Sequence, residues 1–421
     1  MMDLDVTTKQ HLKYLIGLSI ITKIALVILT VFVLGSIMDM FAIVYYYENA
    51  MSVFSNHILY IDYYYEYPIL LFIPVLIALV PSLILHSIMV FSLVFSGLMI
   101  LCDTVTIMCI YLISRKIWNK PKTAFIAALI YMTALAVQYF AMLDCSSFAV
   151  MFMMIGLTML FYGKEIAGIS WMSDYLAIIL GYFAKIFPFI TLPFIILYKS
   201  KTTSLKQEII SVLKIIIPVS VILILPLLIF NPASVIKTYI PMRLDIGYFS
   251  NTIIWTLYVW LHDIFGVNIA IGDVLLFIYV CMGVGLSTVF YFAFKYQKQE
   301  PVVLLKFILW TIAIIVLSFK VRSPNYILWF APFVCILIAD NVYKIGLFYI
   351  TQLLAYIEFP LAFALLWENA RYTNPIYSTN WYLALLLFTL EFSTLLILIW
   401  LAVEPIKLYK NIFRTDVNLV S

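Results

Sequence analysis

Residues 14 to 36, YLIGLSIITKIALVILTVFVLGS, form an apolar run long enough to cross a hydrocarbon core of roughly 30 Å as one helix. Similar runs recur along the chain as far as residue 402. No soluble core could hide them: 65% of the 421 residues are hydrophobic and 11% are charged. The expected fold class is an all-α polytopic membrane protein. No small-residue cleavage site follows the first run, which therefore reads as an uncleaved signal anchor. The five cysteines, Cys102, Cys109, Cys145, Cys281 and Cys335, are odd in number, and all but Cys145 lie within apolar runs. They predict neither a disulfide framework nor a zinc site. A net charge of +4 is too small and too evenly spread to point to nucleic acid.

The charges speak to topology instead. Lys9 and Lys13 precede the first run, and Arg115, Lys116, Lys120 and Lys122 cluster in SRKIWNKPK, so both places are expected on the cytoplasmic side. An odd number of crossings must then separate the cluster from the Tyr-rich loop that follows the first span. The apolar sequence after Tyr67-Pro68 is long enough for about two crossings at 1.5 Å per residue. The conflict is resolved if residues 69 to 85, interrupted by Pro74 and Pro81, lie at the interface or re-enter the membrane, and only 88 to 112 cross. Further crossings are expected near 123–143, 147–163, 168–183, 186–198, 208–231, 272–294, 302–318, 327–342, 345–366 and 383–402. This makes one membrane domain, 1–421, with a first outer loop at about 37–68, about twelve crossings and both ends cytoplasmic. Lys164, Lys199, Lys201, Lys206, Lys295, Lys298, Lys344, Lys407, Lys410 and Arg414 fall inside. Lys185, Lys237, Arg243, Lys320, Arg322 and Arg371 remain outside and call for an explanation.

On the outer side this topology gathers Asp39, Glu48, His57, Asp62, Glu66, Asp144, Lys185, Arg243, Asp245, Lys320 and Arg322. Asp39 stands where the first span meets the interface. There it can act as a base with a raised pKa, or simply cap the helix exit. The loop tyrosines at 45 to 47, 60, 63 to 65 and 67 can form a wall that stacks on sugar rings, or an aromatic belt at the headgroups. Lys320, Arg322 and Arg243 can hold a phosphate or snorkel to lipid. Asp103, Glu358 and Glu391 fall within expected spans, as functional groups or as paired carboxylates that join helices. There is no GxGxxG, Walker A loop, HExxH or GxSxG, which argues against nucleotide, zinc-protease and serine-hydrolase chemistry.

The order Asp39, Tyr45, Ala50, Leu59-Tyr60 and YEYPILL resembles the first outer loop of GT-C superfamily membrane glycosyltransferases. It is most similar to glycosyltransferase family 87 and the GPI mannosyltransferase I family. Later stretches agree in order. SGLMILCDTVTIMCIYLISRK is similar to their second full span, and Asp144 with Lys185-Ile186-Phe187-Pro188 resembles their acidic turn and Lys-x-x-Pro hairpin. FKVRSPNYILWFAPF is similar to a Lys-Val...Gln-Tyr...Trp element, with Lys320, Tyr326 and Trp329 matched and Asn325 in place of the glutamine.

The resemblance implies a GT-C-like bundle that transfers a sugar, most plausibly mannose, from a polyprenyl or dolichyl phosphate to a hydroxyl of a glycan, lipid or protein. Transfer would invert the anomeric centre, on the non-cytoplasmic face of a plasma membrane in a prokaryote or of the endoplasmic reticulum in a eukaryote. Asp39 would be the catalytic base. Tyr45, Tyr46, Tyr60, Tyr65, Tyr67, Asp144, Lys185, Arg243, Lys320, Arg322 and Tyr326 would bind substrate. The GPI enzymes carry Asp-x-Asp in this loop, which raises a divalent cation, Mg or Mn, as a cofactor. Here Phe41 stands where the second acid would fall, leaving Asp39 as the single base candidate. The rival expectation is a lipid-linked oligosaccharide flippase or another transporter that uses Asp103, Glu358 and Glu391 as an intramembrane relay.

Overall fold

The computed structural model describes residues 5–29, 41–55, 57–58, 60–62, 65–163, 172–239, 252–296, 300–320, 322, 324–362 and 381–404. Among them the chain is helical, with no strand. The helices are α1 (Val6–Ile28), α2 (Phe41–Ser52), α3 (Phe72–Leu85), α4 (Ile88–Trp118), α5 (Pro121–Thr133), α6 (Leu135–Leu143), α7 (Ser146–Tyr162), α8 (Ser173–Ala184) and α9 (Leu192–Lys199). There follow α10 (Leu205–Leu223), α11 (Leu225–Phe230), α12 (Pro232–Tyr239), α13 (Ile253–Tyr258), α14 (Ile271–Tyr296), α15 (Pro301–Ser318), α16 (Ile327–Ile338), α17 (Val342–Tyr356) and α18 (Trp381–Val403).

Among the described residues five helices, α1, α4, α14, α15 and α18, are long and apolar enough to cross a membrane, or six if the bent pair α5–α6 is one span. These fit a multi-pass membrane protein. The shorter apolar helices among the described residues have 10–17 residues, about 15–26 Å of helix. α8 has 12 residues, about 18 Å of helix, too little to cross a roughly 30 Å core alone. The segment 69–85 forms one apolar helix, and its outward residues Ile73, Leu76, Ile77, Val80, Ile84 and Leu85 are exposed without any charge among them. Its other face, Val75, Ala78, Leu79 and Ser82, is buried against the protein.

Local sequence explains the turns that bring the polar groups together. α4 stops at Asn119, which takes the left-handed conformation at φ 51° and donates its N–H to the Arg115 carbonyl. Pro121 then starts α5 from its first position, where no N–H is needed. Extended Ala134 breaks α5 from α6 at 67°. Every residue of α6 from Ala136 to Leu143 is buried, so the break is sheltered by protein rather than lipid. α7 and α8 lie close because Gly156 has no side chain; a Cβ there would sit 2.7 Å from Ile178 Cδ1. Their approach sets Asp144, at the start of α7, beside Lys185, at the end of α8.

The core is built from α4, α5, α7, α8, α15 and α16, and every residue of α16 is buried. α1, α3, α10, α14 and α18 surround it and turn apolar side chains outward. Two buried ion pairs join the layers. Lys23 of α1 meets Asp103 of α4, which also accepts from Tyr131 Oη at 2.8 Å. Arg322 meets Glu358 at 3.4 Å and also Glu391 of α18. The intramembrane carboxylates are therefore paired and join helices.

Candidate functional site

Asp144 is extended, at φ −116° and ψ 140°, between α6 and α7. Its Oδ1 accepts from the Ser146 backbone N–H at 2.7 Å, so the carboxylate caps the first turn of α7. Oδ2 accepts from Asn325 Nδ2 at 2.5 Å and Tyr46 Oη at 3.3 Å, and Lys185 Nζ lies 3.5 Å from Oδ1. Lys185 also donates to Ser146 Oγ at 2.7 Å and sits 5.3 Å from the centre of the Tyr67 ring. One carboxylate thus ties together the Tyr-rich loop, the α7–α8 hairpin and the turn before α16.

Burial pushes the Asp144 carboxyl upward, but the Lys185 charge and hydrogen bonds from Ser146 and Asn325 outweigh it and leave the pKa below its ordinary value. For Lys185, burial opposes the charge and the Asp144 carboxylate more than offsets it, so its pKa is raised. The two groups form an ionised pair.

The tyrosines form a packed layer. Tyr45 stacks on Tyr65 with centroids 6.2 Å apart and planes 8° apart. Tyr67 meets Tyr46 and Tyr65 edge-on, each at 5.7 Å, and Tyr60 meets Tyr65 at 5.8 Å. Tyr60 adopts φ 64°, a left-handed conformation unfavourable for a tyrosine, and its hydroxyl donates to the Tyr67 carbonyl. α12 clamps the loop from the other side: Thr238 Oγ1 donates to the Tyr65 carbonyl at 2.7 Å, and the Ile69 N–H reaches Tyr239 Oη at 3.3 Å.

Two spaces flank this layer. A slot of about 370 Å³ runs between the Phe187–Pro193 segment, α14 and α15, with apolar walls that include Phe189, Ile190, Leu286, Phe290, Ile315 and Val316. Its polar lining comprises Glu66, Tyr67, Lys185, Lys237, Thr238, Thr311 and Tyr326, and Trp329 and Phe187 close the stack. Tyr326 and Phe187 lie on the Trp329 indole at 4.0 Å and 4.3 Å. A shallower, open hollow of about 570 Å³ is lined by Tyr45, Glu48, Asn49, Ser52, His57 and Asp62. Tyr45 lines the hollow and Tyr67 the slot, and their rings are 6.3 Å apart. The neighbouring rings of Tyr45 and Tyr67 thus stand between a polar space and a mainly apolar one.

Of the residues expected at a site, Tyr45, Tyr46, Tyr60, Tyr65, Tyr67, Asp144, Lys185 and Tyr326 come together here. Asp39 and Arg243 lie outside the described residues. Lys320 is buried next to Phe319, which lines the slot. Arg322 is committed to Glu358, Glu391 and the Phe392 ring, 4.7 Å away. Among the described residues the cations lining the slot are Lys185 and Lys237.

Sequence reasoning passed over Lys23, Lys237, Phe187, Asn325 and Trp329 as site or pairing residues. Lys23 was legible as the lone charge in its run; the others depend on how distant turns meet. Among the described residues no three His, Cys, Asp or Glu side chains are placed to hold a metal ion, and Asp144 already faces the Lys185 ammonium. No protein-family model matches the chain, and no curated protein matches it.

Proposed function

We propose that the protein is a membrane glycosyltransferase that moves a sugar from a polyprenyl-phosphate carrier to a hydroxyl acceptor at the non-cytoplasmic face. One observation carries the reading: an apolar slot with two lysines in its lining meets a polar hollow across a layer of tyrosines. The slot has the size and lining of a small-molecule site. It suits a prenyl chain, while Lys185 and Lys237 suit the phosphate and the hollow suits a polyhydroxylated acceptor.

In this reading the chain crosses the bilayer about twelve times, with Asp144 and Lys185 at the outer end. The acceptor oxygen attacks the anomeric carbon from the face opposite the phosphate, forming the new C–O bond. Its proton goes to the Asp39 carboxylate. The anomeric C–O bond to phosphate breaks, and its electron pair leaves on the phosphate oxygen, where Lys185 and Lys237 meet the growing charge. Asp144 is a positioning residue that fixes the Lys185 ammonium and the Tyr46 hydroxyl. Mannose is the sugar proposed.

Transport through a carboxylate relay has less support, because Asp103, Glu358 and Glu391 are each held in a buried ion pair. Asp39→Asn should abolish transfer while leaving insertion and thermal stability unchanged. Near-normal turnover in that variant would end the base assignment.

A further inference from the structure

Asn325 and Trp329 each bury one polar atom that has no hydrogen-bond partner among the described residues, Asn325 Oδ1 and Trp329 Nε1. The residues are 7% and 9% exposed. A buried polar group left unpaired is costly, so two of them one turn apart call for an occupant.

The amide orientation follows from its neighbour. Asn325 Nδ2 donates to Asp144 Oδ2 at 2.5 Å, and an ionised carboxylate can only accept, so the carbonyl oxygen is the unpaired end. Four residues apart, Asn325 and Trp329 lie on the same side of the chain as it enters α16. Trp329 lines the slot, and its ring is held between Phe187, with planes 9° apart, and Tyr326, with planes 26° apart. That sandwich prevents the indole from turning to another acceptor.

An unpaired donor and an unpaired acceptor four residues apart, with Trp329 lining the slot, together suit a hydroxyl, which accepts one hydrogen bond and donates another. They match an ionised phosphate oxygen poorly, because that oxygen only accepts. We infer that Asn325 and Trp329 read one hydroxyl of the sugar carried by the lipid phosphate, with Trp329 Nε1–H donating to it and Asn325 Oδ1 accepting from it. This rests on the lipid-phosphate-sugar reading of the slot. The pair is a specificity element, distinct from the lysines that meet the phosphate.

The test is calorimetric binding in detergent, with polyprenyl-phosphate mannose and the same polyprenyl phosphate without sugar as probes. Trp329→Phe preserves the stack and removes the N–H. It should weaken binding of the mannose-bearing lipid roughly tenfold and leave the sugar-free lipid unchanged. Equal weakening of both lipids, or of neither, overturns the inference and leaves the pair to a bridging water. A parallel series of monodeoxy-mannose lipids on the unaltered protein needs no variant to fold: one position should lose roughly tenfold, and a flat series contradicts the pair. A wild-type protein that binds neither lipid overturns the donor reading itself. Binding with the expected hydroxyl preference but without transfer leaves this inference standing and removes the enzymatic one.

Discussion

Asp144→Asn removes the charge that holds Lys185, with consequences that can be worked from the geometry. The Asp144 side chain is 5% exposed and that of Lys185 11%, so the pair has little water to fall back on. After Asp144→Asn the ammonium keeps Ser146 Oγ at 2.7 Å but has no counter-charge from residue 144. The new amide would also turn its NH2 toward a donor, either Asn325 Nδ2 or the Ser146 N–H, while its oxygen accepts from the other. Breaking a buried pair in this way costs about 3–5 kcal/mol, and this variant belongs at the upper end. Lys185→Met leaves a carboxylate that still accepts from Asn325, Ser146 and Tyr46, so its loss should be at the lower end, about 3 kcal/mol. The double variant leaves no buried charge in the pair, and its loss should fall short of the sum by about 1–3 kcal/mol. Unfolding in mixed micelles with increasing SDS supplies the three free energies. Strictly additive losses would refute the claim that the two side chains depend on each other.

The same pair fixes a pH response. Asp144 has a depressed pKa, so its contribution is present above the ordinary value of 3.8 and is lost as pH falls through the folded value. Lys185 has a raised pKa, so its contribution is present below 10.5 and is lost as pH rises through the folded value. In Asp144→Asn the burial that lowers the Lys185 pKa is left unopposed, so wild-type stability should carry no slope from this pair between about pH 5 and 9 while the gap to the variant narrows as pH rises toward 10.5 in melting experiments; a gap that stays flat up to 10.5 would contradict the assignment. Lys23→Met strands Asp103 in the interior and should cost about 3–5 kcal/mol, with recovery when Asp103 is also replaced by leucine; an unaffected single variant would contradict a buried pair. Gly156→Ala places a Cβ 2.7 Å from Ile178 and 3.0 Å from the Asp174 carbonyl, so it should cost about 1–3 kcal/mol by the same unfolding assay, and Ile178→Ala should relieve part of it.

Much of the architecture is legible in the sequence because membrane physics writes it in long apolar runs. α1, α4, α14, α15 and α18 follow directly from runs of sufficient length, and the Asn119–Pro121 turn from its residues. The bend at Ala134 is not legible: neither residue 134 nor its neighbours is glycine or proline, and tertiary packing makes the break. Asp144 and Lys185 stand out as charges in an apolar hairpin. The role of Arg322 could not be read locally, since its partners lie 36 and 69 positions away. Among the described residues the cations that line the slot are Lys185 and Lys237, and their meeting depends on α12 folding over the tyrosine loop. Asn325 and Trp329 stand in the stretch that resembles the Lys-Val...Gln-Tyr...Trp element, but nothing in that pattern says that a side-chain carbonyl and an indole N–H are left buried and unpaired.

The most direct test of the central claim is a transfer assay on purified protein in detergent, with radiolabelled polyprenyl-phosphate mannose and a crude extract of cell-surface glycans and lipids as acceptor. The account predicts label in the acceptor without any sealed membrane, dependent on Asp39 and sharply reduced by Lys185→Met. Label that stays on the carrier in detergent, yet crosses the bilayer when the same protein is reconstituted in vesicles, would contradict transfer and identify a transporter.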